Sequence, residues 1–462
     1  MHRGSLSRRQ VLAGAVGLGV APASPAAPAA FQHRAYLGWI TDLASRPDTA
    51  AAWPSMRLDP PLLDDYRRTF RLLERLGFNA IVIWGFYVSR AWPLDISSAV
   101  PPARGALVER LIGAAHERGI RVYTGLGVYS WGFEEIIRAH PALSRTNPRA
   151  MCASQPESWE WMRRVIDFAF TRFPVDGASL QSADQGRCTC PQCRTWSDTA
   201  YHAQLDIRAA DYIRARWPGK TVAVSGWGMR FDDPAALPDL RELGRHIDYL
   251  IDVRDSAAAR DPALRRRLTQ ELPCAFGTLG GPQVEPPQHW ARDRWFLPTV
   301  RRQGEHLAQL AADGGRACEY FFHILTNPGD EVSVHVEGKT LADPATSWQR
   351  HLASTLEELY GVTKPATRDA LAALFLDAED AYLQYLPSLR SGTISLEPLI
   401  GDRPGPAVYI RRLTAAQRAA YADRVDAVTA GFRKLAPDVP GRRRIGLILR
   451  CLANVQRDLA AA

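Results

Sequence analysis

An acid followed by three closely spaced cysteines is the most informative pattern in the sequence. Asp184 leads through Gly186 into the motif Cys-x-Cys-x-x-Cys at positions 188–193. Three thiols within six positions suit one tetrahedral metal ion better than three independent buried side chains. A carboxyl group at such a turn can take part in acid–base chemistry, or it can form an Asx turn ahead of the glycine.

Aromatic and charged side chains recur where the apolar segments of the chain end. They are Asp42, Trp84, Tyr129, Trp131, Arg187, Trp227, Arg230, Glu319 and His323. Rings beside carboxylates are typical of sugar-binding sites, because a pyranose stacks on a ring while acids act on the glycosidic oxygen. The arginines could bind a substrate carboxylate or pair with the site's own acids. Each aromatic residue is equally compatible with core packing in a barrel.

Alternating strand and helix patterns must position these residues. Candidate strands are predicted at 36–41, 79–86, 121–129, 175–182, 221–227, 249–253, 274–279 and 317–323. Amphipathic helical segments fill the gaps, as at 62–76 and 106–118, and both of these are followed by a glycine. Eight strands without a nucleotide-binding glycine motif predict a (β/α)8 TIM barrel of the α/β class. The polar residues at the strand ends would then face one mouth.

Only helices are predicted after the barrel. Segments 347–360, 367–385, 415–435 and 445–459 have apolar faces and are joined by loops that contain proline and glycine. We therefore predict a leader at 1–30, a catalytic barrel at 31–335 and a C-terminal helical domain at 336–462.

The barrel also supplies a fourth cysteine for the metal site, because the loops after the third and fourth strands are neighbours. The candidate ligands are Cys152, Cys188, Cys190 and Cys193. Four thiolates would form a closed, structural zinc site that pins two loops at the mouth. Disulfides, which an oxidising compartment favours, and free thiols are the alternatives. The remaining cysteines, predicted to be buried thiols, are Cys274, Cys318 and Cys451.

A family resemblance rests on two segments of the sequence. A Cys-x-x-x-Pro-Glu loop at 152–157, combined with an Asp that leads into Cys-x-Cys-x-x-Cys, resembles bacterial barrel proteins related to α-glucuronidases and family 20 hexosaminidases. The resemblance implies a glycoside hydrolase barrel whose general acid lies at the end of the fourth strand, the position of Asp184. This chain has neither the adjacent Asp-Glu pair of the hexosaminidases nor the glutamate of the α-glucuronidases at that point.

Glycoside hydrolysis requires one protonated carboxyl group and one carboxylate. We predict Asp184 as the acid and a partner from strands six to eight. Asp255 and Glu285 are the main candidates, because they lie just past their strands, where a side chain can reach the mouth. Asp252 could instead pair with an arginine inside the barrel, and Glu319 could belong to an interior ion pair.

The N-terminal segment 1–30 resembles a twin-arginine export signal. Arg8 and Arg9 precede a weakly apolar stretch rich in glycine and alanine up to Val20, followed by small residues and proline. This pattern predicts the twin-arginine translocase as a partner during export and a periplasmic or secreted mature protein. A plain N-terminal helix is the alternative.

Charge and hydropathy exclude other classes of partner. The formal net charge of +8 is mild and the arginines are scattered, which argues against nucleic-acid binding. No segment beyond the leader has the run of about 18 apolar residues that a membrane helix needs.

Three functions remain. The leading prediction is an exported hydrolase that acts on a carbohydrate substrate. The alternative is an inactive barrel that binds carbohydrate or another partner, since a fold does not imply a function. Zinc-dependent hydrolysis is disfavoured, because a four-cysteine site leaves no open position for water.

Overall fold

The computed structural model describes residues 30–39, 61–84, 102–183, 185–252, 261–280, 295–320, 325, 327–385, 410 and 413–461. These ranges contain eight strands and thirteen α-helices. None of their helices is both long enough and apolar enough to cross a lipid bilayer.

Eight parallel strands close into a barrel in which each strand pairs with the next and the last pairs with the first. They are β1 (His33–Trp39), β2 (Ala80–Trp84), β3 (Arg121–Gly127), β4 (Gly177–Gln181), β5 (Thr221–Ser225), β6 (Tyr249–Asp252), β7 (Ala275–Gly280) and β8 (Ala317–Tyr320). Each strand overlaps a predicted one. The predicted (β/α)8 TIM barrel of the α/β class is therefore confirmed.

Helices surround the barrel and connect its strands. They are α1 (Leu62–Arg75), α2 (Pro102–His116), α3 (Glu134–Ala139), α4 (Pro156–Arg172), α5 (Asp198–Arg216), α6 (Leu237–His246), α7 (Pro262–Glu271) and α8 (Val300–Ala312). Two of them end as the sequence predicts: Gly77 after α1 and Gly119 after α2 have φ angles of 78° and 66°. This left-handed conformation favours glycine and stops a helix.

Side chains from four strands contact one another in the interior of the barrel. Nε2 of His33 lies 3.2 Å from Oε1 of Glu319, and Oγ of Ser179 donates to Oε2 of Glu319 at 2.8 Å. The ring of His33 also stacks on Tyr249, with 4.5 Å between centroids. These contacts link β1, β4, β6 and β8, which is the interior alternative that the sequence leaves open for Glu319. Its role towards a substrate stays a prediction.

In the described residues, five further helices follow the barrel. They are α9 (Pro328–Ala342), α10 (Trp348–Tyr360), α11 (Pro365–Tyr385), α12 (Ala415–Leu435) and α13 (Arg442–Ala460). Ser347 caps α10, and Thr414 with Gln417 forms a capping box at α12. The helices share a second hydrophobic core, in which rings such as Phe375 and Phe432 meet edge to face. The helical region predicted after the barrel is therefore present. The predicted boundary between residues 335 and 336 lies inside α9.

Charged side chains join these helices to the end of the barrel. The carboxylate of Glu379 on α11 accepts the backbone N–H groups of Arg301 and Arg302, each at 2.9 Å, in the first turn of α8. The N–H groups at a helix start have no partner within the helix, and the two oxygens of the Glu379 side chain accept two of them. Arg444 on α13 binds both oxygens of Glu331 on α9, at 2.9 and 2.8 Å.

Candidate functional site

The carboxyl ends of the strands define the mouth of the barrel, because the loops that follow parallel strands converge there. The loops after β3, β4 and β5 are the ones that the described residues include, apart from residue 184. Two of these loops carry the cysteines, and the other carries an exposed tryptophan.

Four buried cysteines from the loops after β3 and β4 form one cluster. Sγ of Cys152 lies 3.7 Å from Sγ of Cys190 and 3.8 Å from Sγ of Cys193. With Cys188, all four sulfur atoms lie within 4.8 Å of one another. All seven cysteines of the chain are free thiols. The structure therefore brings the four predicted ligands together.

The spacing of the sulfur atoms fits a tetrahedral metal–thiolate site. Zn–S bonds of about 2.3 Å place sulfur atoms about 3.8 Å apart at the corners of a tetrahedron. A disulfide would instead need a separation of about 2.05 Å. The observed 3.7 and 3.8 Å agree with the first arrangement. Four thiolates would occupy every coordination position, so the cluster could hold a metal ion in a structural role but not activate water.

Hydrogen bonds connect the loop after β4, which carries Cys188, to the loop after β3. Thr146 Oγ1 donates to Sγ of Cys188 at 3.4 Å and accepts the backbone N–H of Thr189 at 2.7 Å. Asn147 Nδ2 donates to the carbonyl oxygen of Gln185 at 2.8 Å. Because Gln185 adjoins position 184, this clamp fixes the chain immediately after the predicted acid.

The cysteines of the cluster differ in acidity. Burial opposes ionisation of Cys190, but hydrogen bonds from the backbone of Cys193 and the hydroxyl of Ser154 outweigh it and lower the pKa of Cys190 to about 6. Burial raises the pKa of Cys193 to about 12. A metal ion binds the thiolate form of each cysteine, so metal binding at this cluster would release protons and depend on pH.

The predicted aromatic residues at the ends of β2 and β3 are buried in the wall of the mouth. Trp84 and Trp131 meet edge to face, with 5.1 Å between centroids. Tyr129 is also buried, and burial raises its pKa to about 12. Its φ of 63° is rare for a bulky residue, and its carbonyl oxygen accepts the backbone N–H of Met151 at 2.7 Å. Their contact with a sugar stays a prediction.

Arg187 contacts the first turn of α5 and the residue at the end of its own loop. Its Nε lies 2.9 Å from Oδ1 of Asp198, and its guanidinium carbon lies 5.0 Å from the ring centroid of Tyr201. It also donates to the carbonyl oxygen of Trp196 at 3.2 Å. The predicted contact of Arg187 with a substrate carboxylate stays a prediction. Trp196 itself is 41% exposed, and the sequence-based prediction missed it.

The loop after β5 meets the start of α5. The backbone N–H of Arg230 donates to Oγ1 of Thr199 at 2.9 Å, and the Arg230 side chain lies 3.3 Å from Asp232. Trp227 is 41% exposed, and with Trp196 it makes up the exposed large hydrophobic residues of the described part of the chain. Each tryptophan lies three residues from the Arg230–Thr199 hydrogen bond. This hydrogen bond joins the loop after β5 to the first turn of α5, the helix that follows the loop of Trp196.

The sequence-based prediction also missed a buried polar cluster next to the end of β4, formed by Ser182, His202 and Asp206. Oγ of Ser182 lies 2.9 Å from Oδ2 of Asp206 and 3.0 Å from Nδ1 of His202. Burial raises the pKa of Asp206 well above its usual value; burial, with Arg187 nearby, lowers the pKa of His202 to about 4. His202 is therefore neutral near pH 7, and burial favours the protonated form of Asp206. The signal in the sequence was a His and an Asp one turn apart on an otherwise apolar helix face.

Five predicted site residues lie outside the described residues. They are Asp42, Asp184, Asp255, Glu285 and His323. Both chain neighbours of Asp184 are described, and Ala183 packs at the junction of the loops after β4 and β5. The catalytic and binding roles of the five residues stay predictions.

Comparisons with known proteins give a likeness of fold. No protein-family model and no curated protein sequence matches the chain. Among solved structures, an O-GlcNAc hydrolase mutant of Thermobaculum terrenum superposes with a TM-score of 0.50 at 12% identity, over 88% of this chain and 77% of that one. A chitobiase of Flavobacterium johnsoniae has a TM-score of 0.42 at 12% identity, over 92% and 71%. A β-N-acetylhexosaminidase of Bacteroides fragilis has a TM-score of 0.42 at 12% identity, over 69% and 66%. The chain is thus similar in fold to a barrel glycoside hydrolase.

Proposed function

We propose that this chain is an exported glycoside hydrolase-like enzyme that cleaves glycosidic bonds with a pair of carboxylates. The observation that supports it most is the exposure of Trp196, on the loop after β4, and of Trp227, on the loop after β5. An exposed indole suits the apolar face of a pyranose ring, and the proposed acid belongs to the same loop of the chain as Trp196. The barrel fold, shared with an O-GlcNAc hydrolase, agrees with this function but does not by itself establish it.

The proposed chemistry divides two roles between carboxyl groups. Asp184 would donate a proton to the leaving oxygen, as the resemblance implies for the end of the fourth strand. Asp255 or Glu285 would act as the carboxylate that activates water or attacks the anomeric carbon. The substrate is a carbohydrate, either an oligosaccharide or a glycoside. The barrel at 31–335 would carry this activity, and the helical domain would follow at 336–462.

A structural metal and an export signal belong to the same proposal. Zinc at Cys152, Cys188, Cys190 and Cys193 would hold the two neighbouring loops after β3 and β4 in place. The segment 1–30 would direct the folded chain to the twin-arginine translocase, which delivers it to the periplasm or outside the cell. Export after folding would allow the metal to be bound in the cytoplasm.

The experiment that tests the proposal is hydrolysis of chromogenic glycosides, uronides and polysaccharides by the mature chain. The matched variants are Asp184→Asn, which removes the proposed acid, and Asp64→Asn, which alters an exposed acid on α1. We expect cleavage by the wild type and by Asp64→Asn, and a loss of about 100-fold or more in Asp184→Asn. A folded, metal-loaded protein that cleaves none of these substrates contradicts the proposal.

The second candidate is an inactive barrel that binds carbohydrate or another partner. It is favoured by the burial of the described acids of β6 and β8, Asp252 and Glu319, in the barrel wall. Affinity electrophoresis in polysaccharide gels separates the two functions. Retarded migration that Trp227→Ala removes, in a chain without hydrolytic activity, supports the binding barrel.

A further inference from the structure

The hydroxyl of Ser182 links two buried side chains and has a single proton to share between them. It lies 2.9 Å from Oδ2 of Asp206 and 3.0 Å from Nδ1 of His202. If Ser182 donates to Asp206, then Nδ1 of His202 must carry a hydrogen and donate to Ser182. If Ser182 donates to His202, then Asp206 must be protonated and donate to Ser182. The direction of the chain therefore fixes the tautomer of His202.

Burial decides between these directions. The Asp206 side chain is 0% exposed, and its Oδ1 has no hydrogen-bond partner in the described part of the chain. An ionised carboxylate with one unpaired oxygen is costly in such a site, whereas a neutral carboxyl group is much less so. Placing the proton on Oδ2 uses it in a hydrogen bond to Ser182, while a proton on Oδ1 would be unpaired. Burial raises the pKa of Asp206 and outweighs the hydrogen bond with Ser182, which acts in the other direction.

The other nitrogen of His202 faces the contact between the β4 and β5 exits. A methyl group added at Gly228 would lie 3.0 Å from Nε2 of His202 and 2.7 Å from Cβ of Ala183. The imidazole edge and Ala183 therefore pack on the same glycine, directly after the exposed Trp227. The charged groups that act on this imidazole are Arg187 and Asp198.

We propose that Asp206, Ser182 and His202 form a one-way hydrogen-bond chain that holds the imidazole proton on Nε2 and positions it at the junction of the β4 and β5 loops. Protonated Asp206 donates to Ser182, and Ser182 donates to Nδ1 of His202. The Nε2–H group is then a fixed donor beside Ala183, the residue that precedes the proposed acid. Asp206, Ser182 and His202 are positioning residues. Their effect on catalysis rests on the proposed function, whereas the tautomer of His202 is independent of that function.

The tautomer is measured by nitrogen NMR of the full mature chain labelled at its histidines, near pH 7. His202→Gln identifies the signal, since it removes one imidazole from the spectrum. We expect a neutral ring with hydrogen on Nε2. A ring protonated on Nδ1, or on both nitrogens, overturns the proposal whether or not the protein hydrolyses any glycoside.

Two variants test whether the chain holds that tautomer. Asp206→Asn retains a donor toward Ser182, so the Nε2–H signal should persist. Ser182→Ala breaks the chain, so the ring should become a mixture of tautomers while the melting temperature reports that the fold is retained. An unchanged tautomer in folded Ser182→Ala overturns the role of the chain.

The catalytic effect is measured separately on whichever glycoside the wild type cleaves. His202→Gln keeps an N–H donor near the position of Nε2–H, whereas His202→Leu removes it. We expect kcat to fall about 10-fold or more in His202→Leu at little changed KM, and to be largely restored in His202→Gln. Equal losses in both variants contradict a positioning role. A wild type without activity, but with the expected tautomer, contradicts only the proposed function.

Discussion

Glu379 should make the protein less stable as the pH rises through the neutral range, opposite to the usual effect of a salt-bridged carboxylate. Its carboxyl group is 1% exposed where α11 caps the start of α8. Burial raises its pKa from 4.5 to about 7, although the N–H groups of Arg302 and Arg301 act in the other direction. The folded state therefore holds this proton more tightly than the unfolded chain.

The magnitude follows from the shift. One pKa unit corresponds to about 1.36 kcal/mol, so a rise from 4.5 to about 7 corresponds to about 3 kcal/mol. Between these pH values the folded state binds more protons than the unfolded state, so the free energy of unfolding falls as the pH increases. Most of this contribution is present at acidic pH and is lost by about pH 8.

The perturbation is Glu379→Gln, which is similar in shape and cannot ionise. Urea unfolding of wild type and variant across the range gives the difference between their free energies of unfolding. We expect this difference to move in favour of the variant by about 3 kcal/mol from acidic to mildly alkaline pH. Asp380 lies on the same helix but is exposed and paired with Arg301. For Asp380→Asn, the difference from wild type in the free energy of unfolding should change by less than about 1 kcal/mol across the same pH range. A difference between Glu379→Gln and wild type that is independent of pH, or that moves the other way, refutes the reasoning.

Three further predictions follow from other contacts. Cys152→Ser should abolish stoichiometric zinc binding and lower the free energy of unfolding by about 3 kcal/mol, whereas Cys451→Ser should keep the metal; metal analysis and calorimetry check both. Gly228→Ala should destabilise the fold by about 1–3 kcal/mol, because φ is 84° and the new methyl group would meet Ala183. Gly446→Ala, in a helix with open space around it, should stabilise by about 0.5–1 kcal/mol. Trp196→Ala should raise KM for a polysaccharide about 3- to 10-fold without lowering the melting temperature; an unchanged KM removes this residue from the substrate site.

The barrel could be predicted from the sequence because its signals are local and repeated. Each strand is a short apolar run, and glycines such as Gly77 and Gly119 mark helix ends. The cysteine cluster could also be predicted, since the order of strands in a barrel places the loop of Cys152 beside that of Cys190.

Other parts of the site could not be predicted, because they depend on contacts between distant segments. Trp84 ends β2 and Trp227 lies two residues past β5, yet Trp84 is buried against Trp131 and Trp227 is exposed. Strand periodicity does not distinguish these outcomes. The same holds for Glu379, which caps a helix 78 positions earlier in the chain.

The pairing of β1 with β8 has a consequence for how the barrel is made. His33 and Glu319, which are hydrogen-bonded across the interior, are 286 positions apart in the chain. During synthesis β1 therefore cannot pair with β8 until almost the whole barrel has been translated and β8 has left the ribosome. Until then the nascent sheet has two free edges, which are open to pairing with other chains. Any fragment that ends before Ala317 keeps those edges, so truncation from the C-terminus should produce an aggregating chain rather than a smaller barrel.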